Sequence, residues 1–536
     1  MADALVAISS RFQNRSLDPG QGELVYSLSY VLWFSSEPTR ATGEVTMLKS
    51  AEDHLAAVRD GRKVYVGDEL IQDVTSHPAF RNGAKTLASL YDLKRRPEER
   101  ETLSYEENGE RFGMYYLMPR SREDLERRTR AHKRIADATH GLFGRSPDHV
   151  ASFVTGMALQ ADVLDEGDGG KRGFAANLRH YYEHARKRDL YIAYAVLPAP
   201  GARDPKFSGG RGERSPSLSV VSEEDDGLVV SGMKILATGA VFADELWVGN
   251  VQPLAPERKL EAVTFAIPMA TPGLTLWSRK PMEPTAESEF DNPLSFRFDE
   301  SDAIVLFDNV KVPWDRVFSH GDPGLSREMY YRTPSHCFGN HQSNVRFWSK
   351  LQLLVGLAAE VTSVTQTEKV PAVRERLGRL AAQEAMIAGM VHGQQMNHEE
   401  LGNGFVSFNR RYMYGALSWC TENYAAIADD VRELMGGGVF LMPANATILR
   451  NSELREVFDR DWSNSTYDAL TRMKIMKLAW DMLGSEFASR HWQYERFYGG
   501  PPYVVRDHSH REAPWSAFRQ RVTDILGSYD APGAPV

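Results

Sequence analysis

From Leu87 to about Asp189, apolar residues return every three or four positions, the period of helices that bury one face. Start signals divide this region. The run Leu48-Lys49-Ser50-Ala51-Glu52-Asp53 reads as a capping-box helix start. Ser121, three residues before Asp124, caps a helix expected to reach about His140. Ser146 with Pro147 behind it starts the next, and 174–188 makes a third. Residues 61–69 read as a short hairpin. Between Tyr191 and Phe318 the period drops to two, with strands expected over 191–197, 228–236, 245–251, 262–268, 274–278 and 303–307. Asp226-Gly227 is a hairpin signal among them. After Asn344 the helical period returns over 344–366, 370–397, 408–434 and 466–496, long enough for a bundle. The expected fold is α+β in three parts: a mainly helical domain over 47–189, a β-domain over 190–322 and a helical bundle over 323–510. A poorly ordered extension over 1–46 and a tail over 511–536 flank them.

Composition narrows the function classes. The 536 residues are 42% hydrophobic and 25% charged, as in soluble globular proteins, and are long enough for several structural units. A formal charge of −9 disfavours nucleic acid as a partner, and basic runs such as Glu123 to Arg128 are interleaved with acids. Two cysteines, Cys337 and Cys420, cannot build a disulfide framework or a four-cysteine metal cluster. The apolar stretch Leu24 to Ser36 is shorter than the roughly 20 residues of a membrane span and lacks signal-peptide architecture. A cytoplasmic protein without a membrane partner is expected.

The densest chemistry lies in Gly144-Arg145-Ser146-Pro147-Asp148-His149. A helix start presents free N–H groups and a positive dipole end, beside which Arg145 adds a fixed cation and His149 a titratable ring. Other clusters are weaker. His336, Cys337 and His341 lack a fourth metal ligand. Asp507-His508-Ser509-His510 reads as a solvated C-terminal loop. No Gly-x-Gly-x-x-Gly follows a strand and opens a helix, which argues against a nicotinamide site. Gly209-Gly210-Arg211-Gly212 reads as a charged loop, and Gly436-Gly437-Gly438 follows a helix.

The helix–β–helix order, with Lys234 to Asp244 and Phe307 to Trp314 in the β part, resembles the acyl-CoA dehydrogenase architecture. More narrowly, several segments resemble the oxygenase component of two-component flavin-dependent aromatic hydroxylases, the 4-hydroxyphenylacetate 3-monooxygenase and chlorophenol monooxygenase group. These are Asp60 to Tyr65, Asp73 to Asn82, Gly144 to Asp148, Gly484 to Phe487 and Arg490-His491, in order across roughly residues 47–500. The resemblance implies reduced FAD (FADH2) as cosubstrate, O2 as oxidant and a C4a-hydroperoxyflavin that hydroxylates a phenol ortho to its hydroxyl. It also implies a homotetramer and a separate NAD(P)H-dependent flavin reductase.

Carried over by position, the residues that surround the phenol become Arg145, His149 and Tyr194. The family's tyrosine and histidine are exchanged, so the pocket keeps one imidazole and one phenol. An imidazole with an ordinary pKa near 6.5 suits deprotonation of a phenol, and a guanidinium would stabilise the phenolate. The chlorophenol enzymes place a histidine just before the first bundle helix, which makes His341 a second candidate base, although an ungapped register from Arg346 puts Asn340 there. Expected flavin contacts are Thr238, Gly239, Arg346, Gly437, Gly438 and Ser485. Three rivals share the fold. The related 4-hydroxybutyryl-CoA dehydratase needs an iron–sulfur cluster with three cysteines, which two cysteines cannot supply. An acyl-CoA dehydrogenase proper needs a carboxylate base that no segment identifies, and the His–Tyr exchange keeps a non-catalytic flavin-binding homologue open.

Overall fold

The first helix forms where its cap is written. The Ser50 hydroxyl accepts from the Asp53 N–H at 3.0 Å while the Asp53 carboxylate accepts from the Ser50 N–H at 2.8 Å, and α1 (Ala51–Ala57) follows. The computed structural model describes residues 48–166, 169–204 and 216–529, all in the contact unit that begins at Met47. The expected extension over 1–46 and the Gly209–Gly212 loop lie outside these residues.

The helical part continues with α2 (Arg81–Arg95), α3 (Arg122–Ala138), α4 (Pro147–Ala158) and α5 (Phe174–Lys187). Fully buried Arg128 fastens α3 to α4. It donates to the carbonyls of Tyr115 and Leu117 at 2.6 and 2.7 Å and to the Ser152 hydroxyl at 3.0 Å. These three acceptors offset much of the cost of burying its charge.

The 61–69 hairpin forms as β1 (Lys63–Val66) and β2 (Glu69–Ile71), yet it does not stay in the helical part. A second hairpin, β3 (Ser104–Glu107) with β4 (Glu110–Gly113), interrupts the stretch read as helical. Its signal was Asn108-Gly109, both at positive φ (54° and 80°), the pair that a two-residue hairpin loop favours. The β part comprises β5 (Ile192–Ala195), β6 (Leu197–Pro198), β7 (Ser219–Glu224), β8 (Gly227–Thr238), β9 (Glu245–Val248), β10 (Val263–Pro268), β11 (Leu274–Ser278), β12 (Asp302–Pro313) and β13 (Val317–His320). Strands β2-β1-β11-β12-β8-β6, with β7 also on β8, make one sheet, and β13-β10-β9-β5 the other. Phe265 on β10 meets Phe307 on β12 edge-on at 6.2 Å between them. The β7–β8 turn is Asp225-Asp226, and Gly227 already belongs to β8. A side chain at Gly227 would place its Cβ 2.3 Å from the Val312 carbonyl, so close strand passage, not the turn, requires glycine there.

The bundle comprises α6 (Leu325–Arg332), α7 (Ser335–Val364), α8 (Pro371–Met396), α9 (Arg410–Met435), α10 (Ser452–Trp462), α11 (Ala469–Leu483), α12 (Glu486–Phe497), α13 (Pro502–Arg511) and α14 (Trp515–Leu526). Helix α7 begins well before Asn344 because Ser335 to Asn344 is polar but largely buried, so no amphipathic period announces it. The stretch 466–496 is two helices. Ser485 caps α12 by accepting from the Ala488 N–H at 3.1 Å, and Gly484 lies against the Trp480 ring. The expected C-terminal tail contains α14, and Asp507 to His510 stand on α13 with His508 buried, not in a solvated loop. Among the described residues no helix is long and apolar enough to cross a membrane.

Candidate active site

Four elements meet at Arg145: the start of α4, strand β5, the first half of α7 and the end of α12. The Arg145 backbone N–H donates to Glu300 Oε1 at 2.6 Å, and its carbonyl accepts from the Tyr191 hydroxyl at 2.6 Å, so its backbone is fixed from both sides. Its guanidinium has no carboxylate within salt-bridge distance among the described residues. It lies instead over the rings of Tyr498 (4.0 Å), Tyr194 (4.9 Å) and Tyr494 (6.0 Å), and its Nη1 bonds His149 Nε2 at 2.6 Å. Ser146 occupies the N-cap position of α4 but does not cap it. Its hydroxyl donates to Asp148 Oδ1 at 2.5 Å.

That hydrogen bond fixes the protons around His149. With Ser146 and Asp148 both offering oxygen lone pairs, the Gln342 amide turns its Nε2 toward them (3.3 Å each) and its Oε1 toward His149 Nδ1 (3.0 Å). His149 therefore carries its proton on Nδ1, and Nε2 accepts from Arg145. Burial first, and the Arg145 charge second, hold the ring well below the usual imidazole range. As arranged here His149 is neutral, with its lone pair committed to the guanidinium. It acts as a proton acceptor only when a substrate displaces that bond. Tyr194 stacks on His149 at 5.7 Å and Phe153 approaches both rings, while the partly exposed Tyr194 hydroxyl makes no hydrogen bond to described residues. Gly339 makes room for Phe153, since a Cβ there would fall 1.7 Å from the Phe153 ring.

Thr238 and Gly239 back directly onto this niche. Gly239 (φ +77°) donates its N–H to the Ser301 carbonyl at 2.8 Å, and a Cβ on it would lie 2.0 Å from the Tyr191 hydroxyl that binds Arg145. The Thr238 hydroxyl donates to Asp302 at 2.6 Å. Arg490 of α12 closes the arrangement, reaching Asp302 at 2.9 Å and Glu300 at 3.1 Å. Burial would raise the Asp302 carboxyl, but Arg490 and Arg279 outweigh it and hold it far below the carboxylate range. Ser485, which caps the same helix, also hydrogen-bonds the Asp481 carbonyl at 2.8 Å.

The remaining candidates lie elsewhere. His341 is buried in a separate layer. Its Nε2 bonds the Thr129 hydroxyl at 2.9 Å and its Nδ1 the Gln394 amide oxygen at 2.7 Å, and its ring stacks on Phe408 at 3.6 Å. Both nitrogens are occupied away from Arg145, so its expected role as a base is not supported by its position. Arg346, expected near a phosphate or on the surface, is buried in a bidentate pair with Glu495 (2.7 and 2.6 Å). Gly437 and Gly438 sit in a short turn after α9, beside a cleft of about 280 Å³ lined by Asp291, Phe440, Lys477 and Trp480.

Comparison with known proteins decides the family. Residues 50–319 match the model of the 4-hydroxyphenylacetate 3-hydroxylase N terminal region, and 326–527 match its C terminal counterpart. The chain belongs to the 4-hydroxyphenylacetate 3-hydroxylase family. It is 32% identical to the 4-hydroxyphenylacetate 3-monooxygenase oxygenase component of Thermus thermophilus, over 85% of this chain and 93% of that one. It is 30% identical to the oxygenase component of a Rhodococcus 4-nitrophenol 2-monooxygenase, over 85% and 87%. A crystal structure of a 4-hydroxyphenylacetate 3-monooxygenase oxygenase component, complexed with FAD and 4-hydroxyphenylacetate, superposes with a TM-score of 0.84 at 29% identity. It covers 90% of this chain and 98% of that one. The α+β, acyl-CoA dehydrogenase-like fold is the family's own.

The residues here fit a flavin. Three buried polar atoms without partners belong to neighbours of this niche: Arg490 Nη1, on the guanidinium that binds the same Asp302 as Thr238, Ser301 Oγ, whose carbonyl takes the Gly239 N–H, and Tyr494 Oη, against Gly144. Such orphans are costly unless a bound polar group satisfies them. Family position pointed to Arg145, His149, Tyr194, Thr238 and Gly239, which the fold gathers. Gln342, Tyr498, Glu300, Asp302 and Arg490 come from distant segments without a motif. Only Arg490, within a family-like segment, left a trace in the sequence.

Proposed function

We propose that this protein is the oxygenase component of a two-component, FADH2-dependent monooxygenase that hydroxylates a phenol ortho to its hydroxyl. The observation that carries this reading is the buried Arg145 guanidinium, which faces Tyr194 and His149 with no carboxylate of its own. A phenolate oxygen supplies the missing anion. The phenol O–H proton passes to His149 Nε2 as substrate replaces the Arg145–His149 bond, and Arg145 holds the negative oxygen. Charge delocalised onto the ortho carbon makes that carbon nucleophilic. When bound, reduced FAD with O2 supplies the electrophilic oxygen atom, and Thr238, Gly239, Ser485 and Arg490 would hold it. Phe153 and the three tyrosines exclude water from the niche.

A separate NAD(P)H-dependent reductase delivers the flavin, and the protein works in the cytoplasm as a homotetramer. The C-terminal helix α14 supports the assembly. Trp515, Phe518, Val522 and Ile525 form an apolar stripe along it, with Val522 and Ile525 57% and 63% exposed. Such a stripe requires a partner surface. Sedimentation of a chain ending at Pro514 is expected to show species smaller than a tetramer.

Activity is tested by mixing FADH2-loaded protein with oxygenated buffer and a panel of phenols, then counting catechol and hydrogen peroxide per flavin oxidised. Catechol approaching one per flavin with at least one phenol is the expected result. Peroxide alone, whichever phenol is added, overturns the reading.

A further inference from the structure

In the empty niche two groups assign the His149 proton, and an arriving phenol removes one of them. Arg145 can only donate, so while it bonds Nε2 the ring proton must sit on Nδ1. Once a phenol displaces that bond, Nε2 faces an O–H, and the choice of tautomer passes to whatever meets Nδ1. A ring protonated on Nε2 would turn an N–H toward the phenol and take no proton from it.

Two groups meet Nδ1. The Tyr498 hydroxyl, 3.2 Å away, can both donate and accept, so it suits either tautomer. The Gln342 amide, whose Oε1 is 3.0 Å away, has two unlike ends, and its orientation decides. Turned end for end, it would present an N–H to Nδ1 and draw the ring proton to Nε2.

What holds the amide lies at its other end, where Ser146 Oγ and Asp148 Oδ1 each stand 3.3 Å from Nε2. The Ser146 hydroxyl gives its one proton to Asp148 Oδ1 at 2.5 Å, so the serine shows the amide only lone pairs. The second carboxylate oxygen, Oδ2, accepts from His132 Nδ1 at 2.7 Å. Burial above all lowers the His132 pKa, so this ring is neutral with its proton on Nδ1. Its Nε2 faces the Ser152 hydroxyl at 3.5 Å, which itself donates to the Asp148 carbonyl at 2.7 Å. Ser146, Asp148, His132 and Gln342 are all buried, so water does not compete for these bonds.

Building on the hydroxylase reading above, we propose that Asp148 is a positioning residue for the proton transfer. Through Ser146 and Gln342 it keeps the His149 proton on Nδ1, and the Nε2 lone pair toward the phenol, after Arg145 has let go. In the step itself the phenol O–H bond breaks and an Nε2–H bond forms, while Nδ1–H goes on donating to Gln342 Oε1. Asp148 has no hydrogen bond to the His149 ring and acts only through the amide.

The test separates tautomer from turnover. In Arg145→Met the competing donor is gone without any substrate, and nitrogen NMR shifts of isotope-labelled histidine, taken at alkaline pH, read the ring proton directly. It is expected on Nδ1 in Arg145→Met and on Nε2 in Arg145→Met/Asp148→Asn. There the asparagine turns its oxygen to His132 and its amide N–H to Gln342, which turns over in response. A proton still on Nδ1 in the double variant overturns the proposal, as does one already on Nε2 in Arg145→Met. If the asparagine chain does not fold, Arg145→Met/Gln342→Leu reads the same point. With only the Tyr498 hydroxyl at Nδ1 both tautomers are expected, and Nδ1 alone overturns the proposal.

Turnover adds a readout that a merely structural role would not move. With reduced FAD and O2, Asp148→Asn is expected to lower kcat about a hundredfold for p-cresol, which must lose its proton to His149. For a nitrophenol already ionised at the assay pH the loss is expected to stay within about twofold, since no base is needed. An equal loss for both phenols overturns the proposal. Peroxide alone from the unmodified protein with every phenol sinks the hydroxylase reading, and the tautomer measurements then decide the role of Asp148 by themselves.

Discussion

Two buried arginines lie against the Tyr498 ring and do opposite work. Arg346 is 5.2 Å from the Tyr498 centroid and Arg145 is 4.0 Å from it. Arg346 is closed: Glu495 meets it in two hydrogen bonds, Lys350 meets the same carboxylate, and the Gly141 carbonyl takes a further N–H. Arg145 is open, with aromatic faces, the Tyr498 carbonyl at 3.4 Å and one neutral imidazole where a carboxylate would stand. A buried ion pair is a structural commitment, because removing one member strands the other. A buried cation without a counter-ion needs neutral acceptors, as Arg128 has in two carbonyls and a hydroxyl, and Arg145 has fewer of them, which leaves it able to take an arriving anion.

The largest effect expected from this contrast is on stability. Arg346→Met removes two hydrogen bonds from buried Glu495 and leaves it Lys350 alone, and is expected to cost about 3 kcal/mol of unfolding free energy, the low end for breaking a buried pair, read by urea denaturation. The pair also sets an acid limit. Burial would raise Glu495, but Arg346 and Lys350 outweigh it and hold it at about 2, against an ordinary 4.5. Its folded pKa is depressed, so its contribution is full above 4.5 and fades as pH falls from there toward 2. A Glu495→Gln variant should lose that part of the acid dependence. If Arg346→Met left the urea midpoint unchanged, the two arginines would not differ as described.

Next is turnover. Arg145→Met removes the cation that holds the phenolate and is expected to lower kcat/KM by about 10²–10³, the usual loss for one such donor. Its urea midpoint should move far less than that of Arg346→Met, since no buried carboxylate is left behind. A variant that unfolds easily yet keeps turnover would reverse the assignment of the two residues.

How much of this was legible depends on range. Local patterns located the α1 cap, the main strands and most of the long bundle helices, because caps and periodicity act within a few residues. Helix α7 began early because a helix buried all round loses its period, and the β1–β2 hairpin crossed into the β sheet because pairing partners are not local. In the site, residue type placed Arg145 but not its state. The His149 proton is assigned by Arg145, which can only donate to Nε2, together with Gln342, nearly two hundred residues away, whose Oε1 faces Nδ1, and only Glu495 shows that Arg346 is spoken for. His341 stands in the sequence as a second candidate base although the register from Arg346 points to Asn340, and its two hydrogen bonds, to Thr129 and Gln394, lie away from Arg145.

The His149 prediction is smaller and concerns pH. An active proton acceptor must be neutral, and burial with the Arg145 charge holds this imidazole well below 6.5. The acid limb of kcat/KM is therefore expected below the usual imidazole range, with activity kept as pH falls through 6.5. Arg145→Gln removes the neighbouring cation and should move that limb upward in whatever activity remains. A limb centred at 6.5 in the unmodified protein would mean that His149 is solvated and uncoupled from Arg145.

The smallest effect belongs to Tyr194. Its ring covers one face of Arg145 and stacks on His149, while its hydroxyl has no described partner. Tyr194→Phe keeps the ring contacts and removes only a hydrogen bond that a bound phenol could use, worth about 0.5–1.5 kcal/mol. A rise in KM of roughly twofold to tenfold is expected, with kcat and the urea midpoint nearly unchanged. A loss in kcat as large as that of Arg145→Met would show that the hydroxyl, not the guanidinium, meets the developing charge. The open arginine would then be a scaffold for the tyrosine, and the contrast with Arg346 would be one of packing only.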